Sequence, residues 1–167
     1  MSELDRKSVE EFKDSKKNKI VLVLDDVRSM HNVGACFRTA DAFLLEKIFL
    51  CERTPKPPHR DIHKTALGAT ETVSWHHFET TVEALQVLKN DDYELIAIEQ
   101  THNSIFLNDF KIDENKKYAL VFGHEVNGVQ QEIISMCDKV IEVPQQGSKH
   151  SLNISVCVGV VSWEFVR

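Results

Sequence analysis

A chain of 167 residues, 42% hydrophobic and 28% charged, has the make-up of one globular domain with a core that needs no disulfide staples. Its net charge of −6 and sequence pI of about 5.7 exclude a protein held on nucleic acid by overall basicity, though not a local basic patch. No apolar run approaches a membrane span, and the charged opening "MSELDRKSVEEFKDSKKNK" lacks the apolar centre of a secretory signal, so a cytoplasmic protein is expected.

Residues 1–18 read as a polar helix or arm, with Leu4, Val9 and Phe12 as its anchors, ahead of a domain over 19–167. "KIVLVLDDV" is a near-continuous apolar run ending in acids, the pattern of a strand buried on both faces. "HNVGACFRTADAF" then spaces Val33, Cys36, Phe37 and Ala40 for the buried face of a helix. "KIFLCE" predicts a second strand, and the Pro-rich "RTPKPPHRD" breaks regular structure. "IHKTALGA" predicts a short helical turn and "TVSWHHF" a strand. "TTVEALQVLKND" is an amphipathic helix with Thr80 or Thr81 as its cap and Glu83 behind it. Two more buried strands, "YELIAIEQ" and "YALVFG", flank a polar loop. "VQQEIISMCD" reads as a helix, "KVIEVP" as a strand closed by Pro144, and "SLNISVCVGVVSWEFV" as a C-terminal helix. This alternation is that of an α/β domain with a mainly parallel sheet and flanking helices. Cys36, Cys51, Cys137 and Cys157 stand singly in apolar segments and read as reduced core thiols.

In parallel sheets, ligands gather in loops after the C-terminal ends of strands. Three such loops are rich in Gly, Asn, Ser and charge: "DDVRSMHNVGACFR", "FGHEVNGV" and "PQQGSKHSLN". Neither a dinucleotide-binding glycine pattern, a P-loop nor a hydrolase elbow is present. Arg38 is the oddity. It lies in the second turn of its helix, where the dipole is unfavourable to a cation, and its side chain leans back over Gly34. An anion is therefore expected beside it, and Asp25, Asp26 or Asp41 in a structural salt bridge is the plain reading.

"HNVGACFRTADAF", "LVFGHEVNGV" and "IEVPQQGSKHSLNISVCVGV" resemble, in order, the three motifs of the SpoU (TrmH-type) branch of the SPOUT RNA methyltransferases. "GATETV" also fits, and the likeness runs from about Ile20 to the C-terminus. The resemblance implies methyl transfer from S-adenosylmethionine to a ribose 2′-hydroxyl in structured RNA, tRNA or rRNA. It also implies a deep C-terminal trefoil knot and a homodimer, with no metal required. Arg38 matches the arginine implicated in activating the hydroxyl; its very high pKa favours orienting a phosphate and ribose over acting as a base. Asn32 is expected to cap the helix and hold loop or substrate, and Glu125 to bind Asn32 or Arg38. Ser151 and Asn153 match the polar pair of the third motif, although Ser151 is also an ordinary N-cap. Phe122, Gly123, Gly128, Ile141, Val143 and Leu152 are the implied cofactor cradle.

Arg53, Lys56 and Arg60 in the Pro-rich loop, with Lys149 and His150 near the third motif, are candidate RNA-phosphate contacts or simply solvated. His59 and His63 have the i, i+4 spacing of a metal pair, but no third ligand is evident. Trp75, His76 and His77 read as strand and dimer packing. Two other readings stay open: a non-catalytic RNA-binding or assembly protein on the same fold, and a methyltransferase acting on a base.

Overall fold

The computed structural model describes residues 7–148 and 151–167. Among these residues, seven strands form one sheet, ordered β3-β2-β1-β6-β4-β7-β5, with every neighbouring pair parallel. They are β1 (Asn18–Asp25), β2 (Leu45–Cys51), β3 (Ser74–Phe78), β4 (Tyr93–Ile98), β5 (Ile105–Phe106), β6 (Lys117–Phe122) and β7 (Lys139–Glu142). The helices are α1 (Val9–Asp14), α2 (Met30–Ala42), α3 (Arg60–Ala66), α4 (Ala69–Thr72), α5 (Thr81–Asn90), α6 (Gln131–Met136) and α7 (Ile154–Val166).

Strand alternation sends Ile20, Leu22 and Leu24 of β1 to one face and Val21 and Val23 to the other, and all five are buried. The first face packs on α2, α3, α4 and α7, the second on α5 and α6. That double burial is why the strands read as continuous apolar runs. The chain winds from β1 through β2 to β3 on one side, then crosses to β4 on the other, leaving a slot that β6 fills. The reversal opens a crevice at the C-terminal ends of β1, β6 and β4.

Several expectations are corrected. The helical turn around "IHKTALGA" is two helices, because Leu67 adopts a left-handed conformation (φ 50°) and stops α3. The polar loop before β6 contains the short β5 and a 3-10 turn over Leu107–Asp109. α7 begins at Ile154, not Ser151, and Asn153 is its cap, accepting from the Ser155 N–H at 2.9 Å. Thr80 caps α5 by accepting from the Glu83 N–H at 3.2 Å. In the arm, Ser8 and Glu11 form a reciprocal capping box on α1. Phe12 is buried against the core and Val9 is exposed; Leu4 lies outside the described residues. β3 is a packed edge strand: the His76 ring meets Phe78 edge-on at 4.7 Å, and Trp75 lies partly buried on the core.

Among the described residues, Ser162 Oγ is the buried side-chain polar atom with no hydrogen-bond partner. Removing an unsatisfied hydroxyl from inside a helix recovers its desolvation cost and adds helix propensity. Ser162→Ala is therefore expected to stabilise the fold by about 1 kcal/mol, raising the melting temperature by about 2–4 °C. An unchanged or lower melting temperature would mean that the hydroxyl has a partner.

Candidate active site

The loop after β1 is fixed from below. Asp25 is fully buried and accepts from Thr81 Oγ1 at 2.6 Å, Gln130 Nε2 at 2.9 Å and the Gln130 N–H at 3.1 Å. One carboxylate thus ties the end of β1 to the starts of α5 and α6. Asp26, at φ 55°, holds the Arg53 guanidinium through Nε at 3.1 Å and a terminal nitrogen at 2.7 Å. Arg53, a candidate phosphate contact, is thus spent largely on an internal pair.

Beyond Asp26 the backbone turns towards Glu125. The Arg28 N–H donates to one Glu125 oxygen at 3.0 Å, while the Ser29 N–H (2.9 Å) and Asn32 Nδ2 (3.1 Å) donate to the other. Asn153 Nδ2 donates in turn to Asn32 Oδ1 at 3.3 Å. Residues 93 and 121 positions apart in sequence thereby form one polar chain across the three motif loops. Asn32 is not the helix cap. Ser29 takes that role by accepting from the Asn32 N–H at 3.3 Å, which leaves the Asn32 side chain free to bridge Glu125 and Asn153.

Burial works to raise the Glu125 carboxyl, but the donors from Arg28, Ser29 and Asn32 outweigh it and hold it below the ordinary glutamate value. A depressed carboxyl contributes stability above the unfolded glutamate value and loses it as pH falls through the folded one. Wild type is therefore expected to lose melting temperature between about pH 5 and pH 3 more steeply than Glu125→Gln. Parallel curves for the two would refute that role for Glu125.

Arg38 stands apart. It is exposed on α2, in a shallow concavity with Ala35, Thr39, Phe43, Lys64, Thr65 and Gly159. None of the three expected aspartates reaches it: Asp25 holds Thr81 and Gln130, Asp26 holds Arg53, and Asp41 accepts from the Thr72 hydroxyl. Glu125 binds Asn32 rather than Arg38. The space over Gly34 is also taken, by α3. A Cβ there would lie 2.1 Å from Thr65 Oγ1 and 2.3 Å from the Ile62 carbonyl oxygen, so Gly34 serves the close approach of α3.

A cavity of about 480 Å³ opens beside the Glu125–Asn32–Asn153 chain, at the ends of β4, β6 and β7. Phe122, Gly123, Gly128, Val143, Ser151 and Leu152 line it. Ile141 does not: it is fully buried behind the wall, its carbonyl accepting from the Glu99 N–H at 3.0 Å. Glu99 is not among the site residues expected from the sequence, although its place directly after an apolar strand is a signal. One of its oxygens accepts from the Gln100 N–H and the other from the Val129 N–H, both at 2.9 Å. The turn it holds passes through Gly128 (φ 68°), where a Cβ would meet Glu99 Oε2 at 2.1 Å. Cys157, also on the wall, is pushed up to about 11 by burial and by the Glu99 charge.

The remaining candidates lie elsewhere. Lys56 and Arg60 are exposed, Arg60 with Asp61 at 3.9 Å. Lys149 and His150 fall outside the described residues. His59 caps α3, its Nδ1 accepting from the Asp61 N–H at 3.2 Å. Cys36 and Cys51 are buried free thiols, each pushed up to about 12 chiefly by burial.

An all-parallel sheet whose post-strand loops converge on one acid-lined cavity at its winding reversal defines an α/β domain built to bind a small organic ligand. More narrowly, the chain belongs to the SpoU rRNA Methylase family, whose model matches residues 19–163. It is 32% identical over 154 residues to the 23S rRNA (guanosine-2'-O-)-methyltransferase RlmB of Blochmanniella floridana. That match covers 90% of this chain and 59% of the relative, so the chain spans about three-fifths of that relative's length. Among solved structures, the TrmH/SpoU tRNA modifying enzyme of A. aeolicus superposes with a TM-score of 0.83 at 25% identity, covering 94% of this chain and 78% of that one. The AdoMet-bound rRNA methyltransferase of Sinorhizobium meliloti shares the fold, with a TM-score of 0.83 at 22% identity over 92% of this chain and 59% of its own.

Proposed function

We propose that this chain transfers a methyl group from S-adenosylmethionine to a ribose 2′-hydroxyl of structured RNA, tRNA or rRNA. The observation that carries the reading is the Glu125–Asn32–Asn153 chain beside the cavity, together with an arginine that no described aspartate neutralises. A purely RNA-binding scaffold needs neither. The cavity suits the cofactor. Its volume is that of a site for a ligand of this size, and Gly123 and Gly128 let backbone close in where a Cβ would collide. Its carboxylates suit a cation.

Bound there, S-adenosylmethionine supplies an electrophilic methyl carbon on a sulfonium. The protein's part is position and charge. Arg38 grips an RNA phosphate bidentately and so sets the neighbouring ribose for in-line attack. Glu125 holds the backbone of Arg28 and Ser29 and the Asn32 amide, so the α2 entry loop keeps its shape as the RNA arrives. Asn153 extends that rigidity to the start of α7. The hydroxyl proton passes to solvent water as the oxygen–carbon bond forms.

The homodimer and the C-terminal knot belong to the same proposal. Val156, Val160 and Trp163 leave an exposed apolar stripe on α7, 41–56% exposed, of the kind a second copy would cover. β6 entering between β1 and β4, and α7 returning to α2, are what a knotted C-terminus would require. A cytoplasmic location goes with the RNA substrate. Exposed Lys56 and Arg60 are candidate phosphate contacts, as is Lys64, which shares the Arg38 concavity and pairs with Asp61 at 2.7 Å.

The test is transfer from labelled S-adenosylmethionine to unmodified, size-fractionated total RNA, with nucleosides resolved by mass spectrometry. A 2′-O-methylated nucleoside supports the reading, and its size fraction assigns tRNA or rRNA. A methylated base would replace the reading with base methylation. Cofactor-independent RNA binding without transfer would replace it with a scaffold.

A further inference from the structure

The cavity wall carries Glu99, Glu125 and Glu142, and no lysine or arginine among its described lining residues. Glu125 is committed to the α2 entry loop, but Glu99 and Glu142 are not part of that arrangement. Glu99 is locked between the Gln100 and Val129 N–H groups, so its charge cannot swing out to solvent. Glu142 is held through one oxygen by Ser104 Oγ at 2.8 Å. Neither has a cationic partner among the described residues. Like charges gathered in a half-enclosed space repel one another, and a bound cation relieves that repulsion.

Resting on the cofactor reading above, we propose that Glu99, with Glu142, makes this cavity select its ligand by charge, so that the sulfonium donor binds in preference to its neutral thioether product. In the transfer, the sulfur–methyl bond breaks, its electron pair stays on sulfur, the methyl joins the ribose oxygen and the hydroxyl proton passes to solvent water. The ligand in the cavity thus changes from cationic at sulfur to neutral at sulfur in the step that completes the reaction. Carboxylates on the cavity wall hold the cationic donor and lose their grip on the product. Glu99 and Glu142 act here as specificity determinants, through charge rather than through shape.

The experiment is calorimetric binding of S-adenosylmethionine and S-adenosylhomocysteine to the full chain, with wild type, Glu99→Gln and Glu142→Gln compared. Wild type is expected to bind the donor about tenfold more tightly than the product. Each glutamine variant is expected to cut that ratio about threefold, and added salt to compress the wild-type ratio. The ratio is the readout because a merely structural loss would weaken both ligands alike. Because Glu99 also braces the Gly128 turn, the Glu142 variant and the wild-type ratio stand as independent checks. A wild-type ratio near one, or glutamine variants that leave it unchanged, would overturn charge selection and leave the methyl-transfer reading intact. Folded protein that binds neither ligand would overturn both.

Discussion

Arg38→Ala is expected to lower methyl transfer by about 10²- to 10³-fold while moving stability by less than about 0.5 kcal/mol. The two halves of that expectation come from one observation. Arg38 is exposed, and Asp25, Asp26 and Asp41, the acids that would have made it a structural residue, are each bound to something else. Removing it breaks no side-chain hydrogen bond or ion pair among the described residues, so the fold should melt as before. If its guanidinium sets the ribose against the cofactor, the loss falls on orientation, where effective concentration accounts for much of the rate. Arg38→Lys should recover little, because a point charge cannot reproduce a bidentate grip on phosphate. The comparison to make is single-turnover transfer at saturating cofactor beside thermal melts of the three proteins. A large drop in melting temperature would restore the salt-bridge reading. Unchanged transfer by a stable Arg38→Ala would remove Arg38 from the reaction altogether.

The fold was largely legible because its strands are buried on both faces: "KIVLVLDDV" and "YALVFG" have no polar alternation to blur them, and their order with the helices gives a parallel α/β sheet. β5 was not legible, since two residues have no period. Helix starts misled where several polar residues compete. Ser29 and Asn32 both suit the cap of α2, as do Ser151 and Asn153 for α7, and tertiary partners decide between them. Asn32 is claimed by Glu125, while Asn153 can cap and still reach Asn32 with its amide. The motif residues were visible one by one, but their union was not: Glu125, Asn32 and Asn153 meet only because the sheet order brings the ends of β1, β6 and β7 to one edge. Arg53 shows the converse. Its loop composition suggested phosphate, yet the charge that mattered was Asp26, 27 residues away in sequence and beside it in space.

Gly123→Ala is expected to be the most damaging small substitution at the cavity, costing about 3 kcal/mol of stability and weakening cofactor binding at least about tenfold. The reason is not backbone freedom, since Gly123 is not among the positive-φ glycines. It is space. A Cβ at Gly123 would stand 2.1 Å from the Gly128 carbonyl carbon and 2.1 Å from the Val129 nitrogen, and both are backbone atoms that cannot rotate away. The turn carrying them is held twice. His124 and Gly128 exchange backbone hydrogen bonds at 3.0 and 2.8 Å, and the Val129 N–H donates to Glu99 at 2.9 Å. Making room for one methyl group means pushing that turn outward. The push gives up charge-assisted bonding at Glu99 and tilts Glu125, whose three donors come from the β1 loop and α2. The damage should therefore travel from the cavity wall to the α2 entry loop. In heteronuclear NMR spectra, the Arg28 and Ser29 amides, which donate to Glu125, should shift. Gly147→Ala is the matched control, because a Cβ there meets nothing within 4 Å among the described residues. It should leave melting temperature and cofactor affinity within error. If Gly123→Ala proves as mild as that control, the turn is pliant, and the cavity wall cannot be what holds the cofactor and the Glu125 chain in register.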